Sequence, residues 1–346
     1  MLAEFIMPFL VTAGLSFFLT ASLVKLAKRY RWLDRDPHKL KPDQERVPSF
    51  GGVALYLSFW LGSAWLMPFN LFTLEQWSIF LAASCVLLVG LADDIWELRP
   101  WQKSVGILLG AHIIYFMGDI QFSTTLLPEV SPWMFNLISY LLTIAWIFFV
   151  TNAINLLDGI DGLAASLSMT SLVTLIITTY FFSLSIRFSF LAMLILLVAA
   201  IIGFLPFNWC PAKIYLGDTG ALFIGFMYAT LTVSNLKNAS FFSLLLPVIL
   251  YVVPLFDAFY AAFRRILKGQ SPVRADQEHL HHRLLRLGLK ESQVVWAMLG
   301  ITMVFSLLAL FIQVFNQWRQ EILLLVGVML IGLVVIMAKL AGKPKG

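Results

Sequence analysis

The stretch FFVTNAINLLDGIDGLAA, residues 148–165, sets four polar side chains and two glycines between runs apolar enough for lipid. The polar groups are Asn152, Asn155, Asp158 and Asp161. The flanking runs, 133–151 and 163–183, each approach the roughly 20 apolar residues that a helix needs to cross a bilayer. Backbone groups in hydrocarbon must bond within their own segment, so such runs read as helices. The stretch is then a turn between two membrane helices, held at the mouth of the bilayer.

The rest of the chain carries the same pattern. Hydrophobic residues make up 60% of the 346 and charged residues only 12%, whereas a soluble domain is about a quarter charged. Spans are expected near 5–26, 51–68, 77–92, 103–118, 133–151, 163–183, 187–206, 219–235, 240–263, 294–315 and 321–340. This predicts an all-α integral membrane protein of about eleven transmembrane helices, or ten if the weak break at 183–187 closes. Glu4 and the lack of early Lys or Arg read against a cleavable secretion signal, so the first span is expected to be retained. Cys85 lies in a span and Cys210 beside a proline, which suggests neither a disulfide framework nor a cysteine-based metal site. No repeat or low-complexity stretch divides the chain, so 1–346 reads as one polytopic domain, with 264–293 as its longest late loop.

Charge gives the orientation. With spans numbered in order, all but three of the 24 Lys and Arg fall on one side, including the runs Lys25 to Arg46 and Arg264 to Lys290. The three exceptions are Arg187, Lys237 and Arg319. Positive loops mark the cytoplasm. The N-terminus is therefore expected outside and the C-terminus inside a plasma membrane. The basic residues, scattered over membrane loops, make no nucleic-acid surface; they favour anionic headgroups and soluble phosphates.

The acids follow the same side. Asp93, Asp94 and Glu97 end span three in LADDIWELRPWQK, Asp158 and Asp161 sit between spans five and six, Asp218 opens span eight in YLGDTG, and Asp257 lies in span nine. Glu4, Glu75, Asp119, Glu129 and Glu321 fall on the exterior side. Each cytoplasmic acid has an ordinary explanation on its own: a helix stop for Asp93–Asp94, an N-cap for Asp161 or Asp218, an ion pair with Arg264 or Arg265 for Asp257. Their coincidence on one face has none, because acids at membrane depth are expensive and mark functional paths.

Several carboxylates with an amide suit Mg²⁺, or Mn²⁺, which take oxygen ligands and leave places for phosphates. Asn155 and Asp218 are the candidate ligands, and a cation also relieves the repulsion among clustered acids. Lys103 is placed to steady phosphate charge. The loop QSPVRADQEHLHHRLLRLG, residues 271–289, brings His279, His281, His282 and Arg283 together. It suits binding of a sugar phosphate or pyrophosphate through donor side chains; a solvated helix or a zinc site is the alternative, though separated zinc-ligand pairs are missing.

VPSFGG (47–52), LADDIWELRPWQK (91–103), NAINLLDGIDGLA (152–164), YLGDTGALFIG (215–225), PLFDAFYAAFRR (254–265) and HLHHRLL (279–285) together resemble the polyprenyl-phosphate N-acetylhexosamine-1-phosphate transferases. The resemblance covers most of the chain, in family order. It implies that a polyprenyl phosphate attacks the β-phosphorus of a UDP-sugar, releasing UMP and leaving a polyprenyl-diphosphate sugar. It further implies Mg²⁺ on Asn155 and Asp218, and catalytic roles for Asp93, Asp94 and Lys103. Asp158 and Asp161 would shape the nucleotide pocket, with Tyr215 stacking on the base. Arg264 and Arg265 join the three histidines and Arg283 as substrate-binding residues, with Asp257 supporting one of the arginines.

HLHHR and VPSFGG are similar to the branch that moves GlcNAc-1-phosphate onto undecaprenyl phosphate to start a cell-surface polymer such as teichoic acid or O-antigen. They differ from the phospho-MurNAc-pentapeptide translocase of peptidoglycan synthesis, which carries three adjacent histidines. Glu97, Ala153 and Ile154 depart from the pattern without touching its core. The expected partners are undecaprenyl phosphate, a UDP-amino sugar and the bilayer, and a homodimer is compatible with the reading. A membrane prenyltransferase shares aspartate-rich loops but lacks the histidine loop. A cation-coupled transporter would place its acids near the midplane of broken helices.

Overall fold

The computed structural model describes residues 2–30, 47–67, 72–122, 131–182, 187–235, 248–267 and 279–341. Outside them lie Arg31, Arg35, Lys39, Lys41, Arg46, Lys237, Lys268, Arg274, Lys343, Lys345, Glu129, the first part of the expected span 240–263 and residues 268–278 of the late loop.

Every described element is helical: α1 Leu2–Tyr30, α2 Gly51–Leu66, α3 Leu74–Trp96, α4 Pro100–His112 continued by a π-turn Ile113–Met117, α5 Pro132–Leu157, α6 Leu163–Phe182, α7 Phe188–Asn208, α8 Gly217–Asn235, α9 Val252–Leu267, α10 Leu280–Arg286, α11 Glu291–Val314 and α12 Arg319–Ala341, with a 3₁₀ turn Asn316–Trp318 before α12. Ten of the expected apolar stretches fall on described helices, α9 covers the described later part of 240–263, and α10 is a short addition in the late loop. Local chemistry sets several starts. Thr73 Oγ1 accepts the Gln76 amide while Gln76 Oε1 accepts the Thr73 amide, a reciprocal cap for α3. Proline stands at the first turn of α4 and of α5, where its missing N–H leaves nothing unpaired.

Among the described residues, seven helices are long and apolar enough to cross a membrane by length and composition: α1, α3, α5, α6, α7, α11 and α12. Their faces carry exposed Leu, Phe, Ile and Val in the way lipid-facing helices do. The chain is an integral, multi-pass membrane protein. Helix α8 falls outside that set for a physical reason. It is packed against α2, α3, α5, α6 and α7, so protein rather than lipid surrounds it. Small and hydroxyl-bearing residues suit such contacts, and Thr219, Thr230, Thr232 and Ser234 are all buried along it. Helix α1 packs on α7 and α2, and Ser16 Oγ donates to the Ala200 carbonyl at 2.6 Å. Helix α12 contacts mainly α11 and is largely exposed.

The bundle has two polar ends. At one, Arg187 before α7 pairs with Glu75 at the start of α3 at 2.9 Å, both from the set expected outside. At the other lie the C-termini of α3 and α5 and the N-termini of α2, α4 and α8.

Candidate active site

Helix α8 begins where three other helices can reach it. Its approach, Tyr215–Gly217, runs against the start of α2: the Tyr215 amide donates to the Pro48 carbonyl at 2.8 Å, and the Gly51 and Gly52 amides donate to the Tyr215 and Leu216 carbonyls at 3.1 and 3.0 Å. These bonds satisfy amides that a helix start leaves open. A Cβ on Gly52 would stand 2.1 Å from the Gly220 nitrogen, so only glycine lets α2 come this close. Gly217, at φ +70°, turns the chain into α8. The VPSFGG motif thus builds the floor under Asp218, a role not anticipated from its sequence.

Asp94, from the last turn of α3, caps α8 from outside. Its carboxylate accepts the Asp218 amide at 2.9 Å and the Thr219 amide at 3.0 Å, and also the Thr219 hydroxyl. An ordinary N-cap does this from within its own chain segment; here the cap comes from 124 residues away. Both Asp94 oxygens serve α8, rather than standing open for a substrate phosphate.

Asp93 is buried and turns the other way. One oxygen accepts the Leu98 amide at 2.7 Å, which fixes the α3–α4 turn; the other pairs with Lys103. Lys103 reaches on to Asp218 at 2.8 Å. Asn155, from the last turn of α5, donates to the second Asp218 oxygen. The five residues expected to be catalytic or metal-binding, Asp93, Asp94, Lys103, Asn155 and Asp218, therefore form one bonded cluster from four helices. Asp218 and Lys103 keep partial solvent access, with side chains 28% and 22% exposed.

The donor set fits a hard divalent cation. Asp218 and Asn155 would hold it, with the amide turned so that its oxygen faces the ion, an assignment that hydrogen-bonding context decides. Lys103 now supplies the positive charge that Asp218 requires and would move aside. The group Asp161, Cys210 and Glu291, whose ligand atoms lie within 4.8 Å of one another, suits Mg²⁺ less well because it includes a thiol. The Cys210 thiol faces Glu291 at 3.8 Å, and Asp161 accepts the Ala212 amide at 2.8 Å, tying the α5–α6 turn to the segment after α7. Asp158 ends α5, and the Tyr215 ring is partly exposed.

The histidine loop lies against that same turn. A Cβ on Gly159 would be 2.6 Å from His281 Nε2. His281 is 1% exposed and neither of its ring nitrogens has a partner among the described residues. Burial, with His282 and His279 beside it, holds its imidazole far below the usual range, at about 3. The His282 ring lies 4.2 Å from that of His281.

Two expectations are revised here. Asp257 engages the histidine helix instead of Arg264 or Arg265: its oxygens take the Leu280 amide at 2.8 Å and His279 Nδ1 at 3.1 Å. Arg283 is not an open phosphate donor. It is buried, donates to the Met337 carbonyl of α12 and lies over the Tyr260 ring, its guanidinium carbon 5.5 Å from the centroid. Arg264 approaches the same ring at 6.0 Å, and Arg265 is buried. Its burial and its contacts with a carbonyl and a ring give Arg283 a packing role where sequence pattern suggested ligand.

A sequence profile for glycosyl transferase family 4 matches residues 76–235, which carry Asp93, Asp94, Lys103, Asn155 and Asp218. A probable undecaprenyl-phosphate N-acetylglucosaminyl 1-phosphate transferase of Bacillus subtilis is 31% identical over 320 residues, covering 90% of this chain and 86% of the relative. A decaprenyl-phosphate N-acetylglucosaminephosphotransferase of Mycolicibacterium smegmatis is 30% identical, covering 85% of this chain and 78% of its own. An undecaprenyl-phosphate alpha-N-acetylglucosaminyl 1-phosphate transferase of Thermotoga maritima is 28% identical over 298 residues, with 86% and 88% covered. On this evidence the chain belongs to glycosyl transferase family 4 and is a membrane phosphoglycosyl transferase.

Proposed function

We propose that the protein transfers GlcNAc-1-phosphate from UDP-GlcNAc to undecaprenyl phosphate at the cytoplasmic face of the plasma membrane, as the first lipid-linked step of a cell-surface polymer. The observation that carries this reading is the Asp93–Lys103–Asp218–Asn155 cluster at one polar end of the bundle. The names of the relatives supply the sugar, and the Bacillus and Thermotoga proteins supply the acceptor. The chain is read as a single polytopic domain of eleven spans, N-terminus outside and C-terminus inside. The Glu75–Arg187 pair at the far end is in keeping with that orientation.

In this mechanism an oxygen of the lipid phosphate attacks the β-phosphorus of UDP-GlcNAc. A new P–O bond forms, the bond from the β-phosphorus to the bridging oxygen breaks, and UMP leaves with that oxygen and its electron pair. Phosphoryl transfer needs positioning and charge neutralisation more than covalent help. Asp218 and Asn155 would hold Mg²⁺, which when bound supplies neutralisation of the diphosphate. Lys103, released from Asp218, turns to phosphate oxygens while Asp93 holds its ammonium in place. A base is dispensable, since a phosphate monoester with a second pKa of about 6 is already ionised at neutral pH. Asp94 contributes by fixing α8. Asp158 and Asp161, with Tyr215, form the nucleotide side; the histidine helix closes the sugar side against Gly159.

The test is purified protein with radiolabelled UDP-GlcNAc, undecaprenyl phosphate and Mg²⁺. A labelled lipid labile to mild acid, with stoichiometric UMP, is expected. Absence of both, with label retained in UDP-GlcNAc, would overturn the reading.

A further inference from the structure

Six tryptophans are exposed among the described residues, and they fall in two sets of three at opposite ends of the bundle. Trp65 lies at the end of α2, Trp133 at the start of α5 and Trp318 just before α12, all at the end that holds the Glu75–Arg187 pair. Trp96 ends α3, Trp101 lies at the start of α4 and Trp296 near the start of α11, all at the end that holds Asp218. Tryptophan collects at the two boundaries between water and lipid, because its ring is largely apolar and carries one N–H. The two sets stand where those boundaries would fall.

The α3–α4 turn lies at the second boundary, with its two sides in different surroundings. Exposed Leu81, Leu88 and Ile95 recur at every seventh residue of α3, and exposed Trp101, Val105 and Leu109 follow one face of α4. Two lipid-facing stripes thus run up to the turn, and Trp96 and Trp101, 72% and 61% exposed, stand where they meet. Glu97 and Arg99 are exposed charges of the turn, one of each sign, and a headgroup layer of phosphates and ammoniums accommodates both. The inner side belongs to the Asp218 cluster. Lys103 follows Trp101 by two residues, roughly 200° around the helix, so ammonium and indole leave α4 on opposite sides. Asp93 pairs with Lys103 across the turn and accepts the Leu98 amide within it, which ties both charges to the position of the turn.

We infer that Trp96 and Trp101 are positioning residues that seat the α3–α4 turn in the lipid headgroup layer and hold Lys103 at the depth of the acceptor's phosphate. That phosphate is itself a lipid headgroup, so a turn anchored at its depth meets it without drawing the lipid out of the bilayer. The functional half of the inference rests on the proposed transferase activity; the depth of the turn does not.

Depth is read by fluorescence in phosphatidylcholine vesicles whose lipids are brominated either near the headgroup or near the chain end. The emission lost in the double variant Trp96→Phe, Trp101→Phe should be a part that the shallow bromines quench. Quenching of that part by the deep bromines instead, by aqueous iodide but no bromine, or by none of them, as when a second copy covers the turn, overturns the inference. Trp101→Ala should raise KM for undecaprenyl phosphate, taken as its mole fraction in the vesicle, about tenfold, the scale of a small misplacement at a site. Its kcat at saturating lipid and its KM for UDP-GlcNAc should be retained. Trp101→Tyr, whose ring also has a polar tip, should keep the wild-type KM, and Trp101→Leu, apolar throughout, should not. An unchanged KM for the lipid in Trp101→Ala, full function in Trp101→Leu, or a raised KM for UDP-GlcNAc overturns the assignment. Failure of the wild-type protein to release UMP would remove the transferase reading and leave the quenching result standing.

Discussion

The two halves of the site treat their polar groups in opposite ways. Around Asp218 every charge is paired within the protein: Asp93 with Lys103, Lys103 with Asp218, Asp218 with Asn155, and Asp94 with the α8 amides. Around His281 the polar atoms are buried and three ring nitrogens are left without partners among the described residues. The first half sets three carboxylates against one ammonium, so it keeps an excess of negative charge that suits a cation. The second is closed, and burial keeps the His281 imidazole uncharged.

The largest break in this contrast should come from Asp218→Ala, which removes the centre of the paired half. Turnover should fall by at least about a thousandfold, in the range of losing a key electrostatic contact. Mg²⁺-dependent thermal stabilisation should vanish with it, while size-exclusion behaviour in detergent stays that of the wild type. Lys103→Ala should slow single turnover by about a hundredfold yet tighten Mg²⁺ binding at rest, because the competing ammonium is gone. Opposite signs for rate and metal affinity would sharpen the idea that lysine and cation share Asp218; weaker metal binding would break it.

On the histidine half, Gly159→Ala puts a methyl group where His281 Nε2 stands, 2.6 Å away. The ring must shift, and KM for UDP-GlcNAc should rise about tenfold, as small misplacements at a site do. Asp94→Ala should lower stability by about 1–2 kcal/mol through loss of the α8 cap, measurable as a lower thermal midpoint before any effect on the histidine half.

The smallest effect concerns pH. His281 binds a proton less readily folded, at about 3, than unfolded, near 6.5. The unfolded chain therefore carries more protons between those values, and folding stability rises with pH there. The His281 contribution is present in full above about 6.5 and is lost as pH falls toward 3. Asp257, His279 and His282 face the same volume, so the comparison is between wild type and His281→Gln: the variant should lose less thermal stability between pH 7 and pH 5. Equal losses would mean that His281 does not sense pH.

Much of the site was legible because its residues sit at helix ends beside apolar runs. Asp93, Asp94, Lys103, Asn155 and Asp218 could all be placed at one membrane face from alternation alone. Their pairings could not, because a carboxylate beside a glycine looks the same whether it awaits a metal or caps a helix. Asp94 proved to be a cap, and Asp257 serves His279 and Leu280. Arg283 differed for the opposite reason, since an arginine beside histidines suggests anion binding, yet it is buried with a carbonyl of α12 and the Tyr260 ring among its partners. VPSFGG was visible only as a motif, and its task shows in the backbone bonds between α2 and the approach to α8.

The sequence by itself determined that the chain lives in a membrane as helices, where the turns fall, and which face gathers the acids. These depend on hydropathy and charge within about 20 neighbouring residues, the length scale of a bilayer crossing. Only the tertiary structure decided that α8 is wrapped by protein, that its first turn is capped from α3, and that the histidine helix rests on Asp257 and Gly159. Such contacts join residues 124 apart at 2.9 Å. They are set by how helices pack against one another, which the hydropathy of a single segment does not encode.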